Sequence, residues 1–130
     1  MGARWNSIGE ELIYCASNRS LAMAEVAVHF TLATLPDDYV MMTIFIPSDI
    51  SIKKLDESDL PVDWNTFPHR ASSQSMGDTF VSANEHCVLQ IPSAVTKEDF
   101  NFLINTKHID FSRIKIITTS KFPFDKRIFK

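Results

Sequence analysis

The stretch "RSLAMAEVAVHFTLA", Arg19 to Ala33, decides how this chain is read. It is one helix, apolar on nearly every face, and a single carboxylate, Glu25, sits in its middle. A helix that is apolar all round is normally buried, and a carboxylate buried without partners is costly. Either Glu25 looks outward or other groups hold it for use. Leu21, Val28 and Leu32 recur at helical spacing and Glu25 falls on their stripe, so an outward face for it barely exists. Ser17 or Asn18 supplies the cap, and Pro36 sets a stop near Thr34.

Around this helix the text is mostly that of strands. "LIYCA" (Leu12 to Ala16) precedes it as a short strand. "YVMMTIFIP" (Tyr39 to Pro47) is a near-continuous apolar run and predicts a central strand. "ISIKKL" is a second, alternating one. From Asp56 to Gly77 the sequence turns irregular, with Pro61, Pro68 and the polar "ASSQSMGD", which predicts a long loop with one helical turn around Trp64. "TFVS" and "CVLQIP" read as strands, "TKEDFNFLIN" as a turn followed by one, and "RIKIIT" as a partly exposed one, before the closing "FPFD". One helix followed by many short strands predicts an α+β domain rather than βαβ units.

Length and composition narrow the class. The 130 residues suit one domain, and 45% hydrophobic with 22% charged residues is ordinary for a globular protein. A net charge of −3 argues against general nucleic-acid binding. The middle is acidic, from Asp37 to Asp63, and the tail is basic, from Lys107 to Lys130. This is either two solvated faces or a basic rim near a phosphate-bearing ligand. Cys15 and Cys87 lie far apart in apolar runs, as buried free thiols do in a reducing compartment. No apolar run is long enough to span a bilayer and no secretory signal is visible, so a soluble, cytoplasmic protein is expected, with no membrane partner.

The common catalytic signatures are missing. With three glycines there is no P-loop and no dinucleotide-fold fingerprint. The four histidines show no metal-ligand spacing, so no metal site is expected. What remains is a set of separated residues. Arg4 sits in a glycine-bearing loop, either as a solvated terminal arginine or as a fork for a pyrophosphate. Tyr14 lies inside the first strand, where a core aromatic is the plain reading. Ser93 follows Pro92 at a strand end, as a turn serine or a site residue. Glu25 is the one whose plain reading fails.

Taken together, "GARWNSIGEELIYCASNRSLAMAE", "LPVDW", "GDTFVS", "VLQIPSA", "EDFNFLIN" and "FPFDKR" resemble the RES domain family in order and spacing over almost the whole chain. That family is named for an arginine, a glutamate and a serine, which the resemblance places at Arg4, Glu25 and Ser93. Its functional tyrosine falls at Tyr14. The resemblance implies an ADP-ribosyltransferase-like fold: α+β, two small twisted sheets around a cleft, with a buried helix. It also implies a single domain over residues 1–130 that lacks a segment usual before the G-x-R-W-N loop. Thr106 and Ile109 stand where the family usually carries prolines in an N-P-x-H-P turn.

In function, the resemblance implies the toxin of a bacterial toxin–antitoxin pair. Such a toxin cleaves the nicotinamide–ribose bond of NAD⁺, passing ADP-ribose to water or phosphate, with no cofactor beyond NAD⁺ as substrate. Glu25 and Ser93 are then the catalytic pair, Arg4 the grip on pyrophosphate, and Tyr14 the stacking surface. The implied partner is an Xre-type helix-turn-helix antitoxin covering the site, with a homodimer of this chain within the hetero-oligomer. The alternatives are an inactive RES-like module that binds the antitoxin, and a protein ADP-ribosyltransferase.

Overall fold

The computed structural model describes Trp5, Gly9, residues 11–28, 38–65 and 71–122, Asp125 and Arg127. Strand β1 (Leu12–Ala16) runs into helix α1 (Arg19–Ala27). Strands β2 (Val40–Phe45) and β3 (Ile52–Lys54) follow, then helix α2 (Ala71–Ala83), β4 (Val88–Pro92), β5 (Phe100–Asn105) and β6 (Lys115–Lys121). A mixed α/β arrangement with two sheets and few helices is therefore what this sequence forms. The larger sheet has the order β1-β5-β4-β3, antiparallel except for β3 beside β4. The smaller pairs β2 with β6, with an irregular register between Thr43 and Ile44.

The core is built on β4 and β5, each flanked by strands on both sides. Leu89, Ile91 and Leu103 point to one face, where Trp5, Leu60, Trp64, Phe80 and Val81 complete a buried cluster. Val88 and Ile104, opposite each other in the ladder, point to the other face and pack with Ile50 and Cys87. The pleat sends alternate residues to opposite faces, so a strand in mid-sheet with both faces covered is apolar throughout. "VLQIP" fits that description better than "YVMMTIFIP". β2 buries only Met41 and pairs with a single neighbour, so the expected central strand is instead half of a two-stranded ribbon. Val40, Met42 and Phe45 are exposed. An apolar run reports hydrophobicity, not whether a second layer covers it.

Two further expectations change. Helix α1 stops at Ala27, with Val28 as its cap, short of the expected Thr34. Its later residues Val26, Val28, His29 and Thr31 are weak helix formers. It is also half-buried rather than buried, since only Leu21 is sequestered along it. At the other end Asn18 is the cap, its Oδ1 accepting from the Leu21 N–H at 2.8 Å.

The larger change is α2, which occupies the end of the expected loop and replaces the expected "TFVS" strand. Ser73, Gly77, Phe80 and Val81 are its buried residues, with Met76 packed beside them. That is a helical stripe of positions, but two of its members are serine and glycine, so hydrophobicity does not reveal it. The helix also connects β3 to the parallel β4, making one βαβ crossover inside an otherwise antiparallel sheet. At Gly77 a small residue is needed for a steric reason. A Cβ at Gly77 would run into the backbone carbonyl of Trp5, which crosses the helix there.

A prediction follows from that crossing. In an open helix Gly→Ala stabilises by about 1 kcal/mol. Gly77→Ala should instead destabilise by roughly 1–3 kcal/mol, because the obstacle is backbone rather than a flexible side chain. Urea unfolding measures it, and a midpoint equal to or above that of the parent would show that the Trp5 segment does not cross here.

Candidate active site

The antiparallel ladder sets the stage for the site. Ala16, Asn101 and Ile91 lie abreast across β1, β5 and β4, and Tyr14, Leu103 and Leu89 form a second such row two residues along. Both rows point to the face that α2 covers. The chain leaves β1 beside Asn101, caps α1 with Asn18, and within two turns brings Glu25 back over the β4–β5 end.

There the carboxylate is held. Ser93 Oγ–H donates to Glu25 Oε1 at 3.0 Å, and Asn101 Nδ2–H donates to the same oxygen at 2.8 Å. Ser93 is itself fixed: it is buried, and its oxygen accepts from the backbone N–H groups of Val95 and Thr96 at 3.0 and 3.2 Å. Its own N–H donates to the Asp99 carbonyl at 2.8 Å. The hydroxyl thus gives its one proton to Glu25 and its lone pairs to the turn. Among the described residues no cation pairs with Glu25. Among these residues the negative charge is oriented by neutral donors alone.

Tyr14 stands on the same face, 42% exposed, with its OH accepting the Trp5 N–H at 3.2 Å. Trp5 is buried and stacks on Trp64, with ring centroids 6.3 Å apart. Trp5, the residue after the candidate arginine, is thereby anchored next to Tyr14 by a hydrogen bond from its N–H, a ring stack and the Gly77 crossing. Arg4 itself lies outside the described residues. Of the four expected site residues, the structure brings Glu25 and Ser93 into direct contact and puts Tyr14 on the same sheet face as their shared neighbour.

Asn101 is the residue that sequence reading missed. "FNFLIN" alternates, and Asn101 shares a face with fully buried Leu103. A polar residue at an inward position of a core strand needs a partner, and that was the available signal. Asn105, the second asparagine of this strand and a fully buried one, serves the fold instead. Its Nδ2 donates to Asn84 Oδ1 at 2.8 Å, and its Oδ1 accepts from the Lys107 N–H at 3.0 Å. With His108, whose Nδ1 accepts from the Asp110 N–H, it shapes the turn where the family usually has prolines.

Other candidates lead elsewhere. A groove of about 250 Å³ between β3 and α2, lined by Lys53, Leu55, Met76, Phe80 and Leu89 among others, contains none of the expected site residues. Its wall is mostly apolar, with Lys53, Ser75, Thr79 and Glu85 as its polar lining. The basic tail is partly engaged, since Arg113 pairs with Asp49 and Arg127 with Asp125. Among the described residues no three His, Cys, Asp or Glu side chains gather as a metal site, and no helix is long and apolar enough to cross a membrane.

The RES domain matches residues 1–125, and the chain belongs to that family. It is 32% identical to a protein named "Prs ADP-ribosylating toxin" from Sphingobium sp. (strain YBL2), over 99% of this chain and 81% of that one. It is 30% identical to a "Toxin Res" of Yersinia enterocolitica, covering 98% of this chain and 84% of the relative. A "Toxin Res" of Photorhabdus laumondii is 32% identical, over 99% and 83%.

The thiols make a prediction about what the site does not use. Burial pushes the Cys15 thiol up, and burial together with the charge of Asp110 does the same to Cys87. The thiolate is the nucleophile, so both should react slowly near neutrality, half-buried Cys15 as well as buried Cys87. Iodoacetamide at about pH 7.5, a unit below the ordinary thiol range, should label neither cysteine in the native protein and both after denaturation. Rapid native labelling of either would contradict the packing described.

Proposed function

We propose that this chain is the toxin of a bacterial toxin–antitoxin pair, cleaving the nicotinamide–ribose bond of NAD⁺. The observation that carries the reading is the Glu25 carboxylate, held by Ser93 and Asn101 with no cation among the described residues to neutralise it. Family membership and the names of the relatives support it.

The chemistry asks for such a group. When the glycosidic bond to nicotinamide breaks, its electron pair leaves with the neutral nicotinamide and positive charge builds on the ribose. A preoriented carboxylate in a partly water-excluded site stabilises that charge without having to reorganise. Water or phosphate then attacks the ribosyl cation and gives up a proton. Arg4 would grip the pyrophosphate with its guanidinium fork. The exposed ring of Tyr14 would stack against the nicotinamide end, its hydroxyl already engaged by Trp5. An Xre-type antitoxin would cover this face, and a homodimer would sit within the complex. A second reading, transfer of ADP-ribose to a protein, is favoured by the name of the Sphingobium relative. It uses the same cation with a protein nucleophile in place of water.

Release of nicotinamide from NAD⁺ by the purified protein, with and without phosphate, tests the reading. Glu25→Gln keeps the acceptor that Ser93 and Asn101 need but removes the charge. It should lower kcat by roughly a hundredfold or more, about 3 kcal/mol of transition-state stabilisation. The KM should change far less. A folded Glu25→Gln protein that cleaves at the parent rate would end the catalytic reading. A parent protein that releases no nicotinamide would leave the antitoxin-binding module instead.

A further inference from the structure

Two donors converge on one oxygen of Glu25, and they come from separate places in the fold. Ser93 arrives from the turn after β4, and Asn101 from β5, 68 and 76 positions from Glu25 along the chain. Among the described residues no donor reaches the other oxygen, Oε2. A carboxylate tied at a single oxygen by two fixed donors cannot rotate freely about its last bond. Its second oxygen is therefore presented in one direction.

We infer that Asn101 is a positioning residue for the reaction: with Ser93 it clamps Glu25 Oε1 so that Oε2 alone faces the nicotinamide ribose. This rests on the NAD⁺-cleaving reading above and says how that site is aimed. Ser93 is then a clamp as well, because its proton is committed to Glu25 and its lone pairs to the Val95 and Thr96 N–H groups. It is not a nucleophile. The choice of neutral donors matters, since a lysine or arginine in place of Asn101 would hold the carboxylate equally well and cancel the charge the ribosyl cation needs.

The sheet makes the clamp rigid. Asn101 lies between Ala16 and Ile91 in the ladder, with backbone partners on both sides. Ser17 N–H donates to the Phe100 carbonyl at 3.2 Å, which ties the start of the α1 segment to the residue before the clamp. Helix and clamp are thus joined at two places, and Glu25 has little freedom to drift. A side chain held by groups whose own positions are locked is the condition for an accurate site.

Steady-state kinetics of nicotinamide release on Asn101→Ala and Asn101→Asp, each alone and combined with Glu25→Gln, test the inference. Asn101→Ala should lower kcat about tenfold with KM within about twofold, the loss of one charge-assisted hydrogen bond. Asn101→Asp preserves shape but removes the donor and sets a like charge against Glu25, so it should be worse than alanine. In the Glu25→Gln background, Asn101→Ala should change the residual rate by less than about twofold, because Asn101 acts only through the carboxylate. Equal losses in both backgrounds, or an aspartate as good as or better than alanine, would overturn the clamp. If the parent releases no nicotinamide, the NAD⁺ reading fails and the clamp is judged by urea unfolding. The midpoint losses of Asn101→Ala and Glu25→Ala should then fail to add, whereas additive losses would overturn it.

Discussion

The bonds from Ser93 and Asn101 to Glu25 join the parts of this structure that the chain keeps far apart. They connect a helix that follows the first strand to the turn and strand that close the hairpin of the larger sheet. Each bond is made from neutral donor to charged acceptor in a half-buried place, where an ionised acceptor strengthens it. Were either strand to slip by one residue, Asn101 would move to the opposite face and the carboxylate would lose a partner. The register of β5 between β1 and β4 is therefore also the register of the site. The apolar cluster of Leu89, Ile91 and Leu103 defends it, because the same slip of β5 would carry Leu103 away from the other two.

The anchoring of Trp5 depends on the same face. Trp5 fills the cluster that Leu89 and Leu103 line, and its amide is held by Tyr14 from the neighbouring row. Gly77 leaves room for its backbone against α2. A glycine in mid-helix sacrifices about 1 kcal/mol of helix propensity, and close approach of the Trp5 segment is what it permits. The core and the candidate site thus share one sheet face, with the sealed cluster at its middle and the oriented carboxylate at its end.

Much of this was legible in the sequence where one local signal sufficed. The first strand, "LIYCA", forms over the residues expected, and the cap of α1 falls on one of the two residues proposed for it. The question about Glu25 was answered in kind, since partners do hold it and one of them is Ser93. Where signals were tertiary, reading failed. Helix α2 hides its buried stripe in Ser73 and in Gly77, the latter small so that the Trp5 backbone can approach, and the stretch reads as a loop. β2 is apolar enough for a central strand, yet no alternation shows how many neighbours a strand has. Asn101 becomes visible as a site residue only once the ladder places it beside Ile91 and under the helix.

The central claim is that the nicotinamide ribose of NAD⁺ sits against Oε2, the second oxygen of the clamped carboxylate. A crystal structure of the Glu25→Gln protein, slow enough to trap intact NAD⁺, tests this most directly. The account predicts Ser93 and Asn101 still bonded to the side chain at position 25. It places a nicotinamide-ribose hydroxyl within about 3 Å of that side chain's other terminal atom. NAD⁺ bound in the groove between β3 and α2, or with its nicotinamide ribose turned away from position 25, would contradict it.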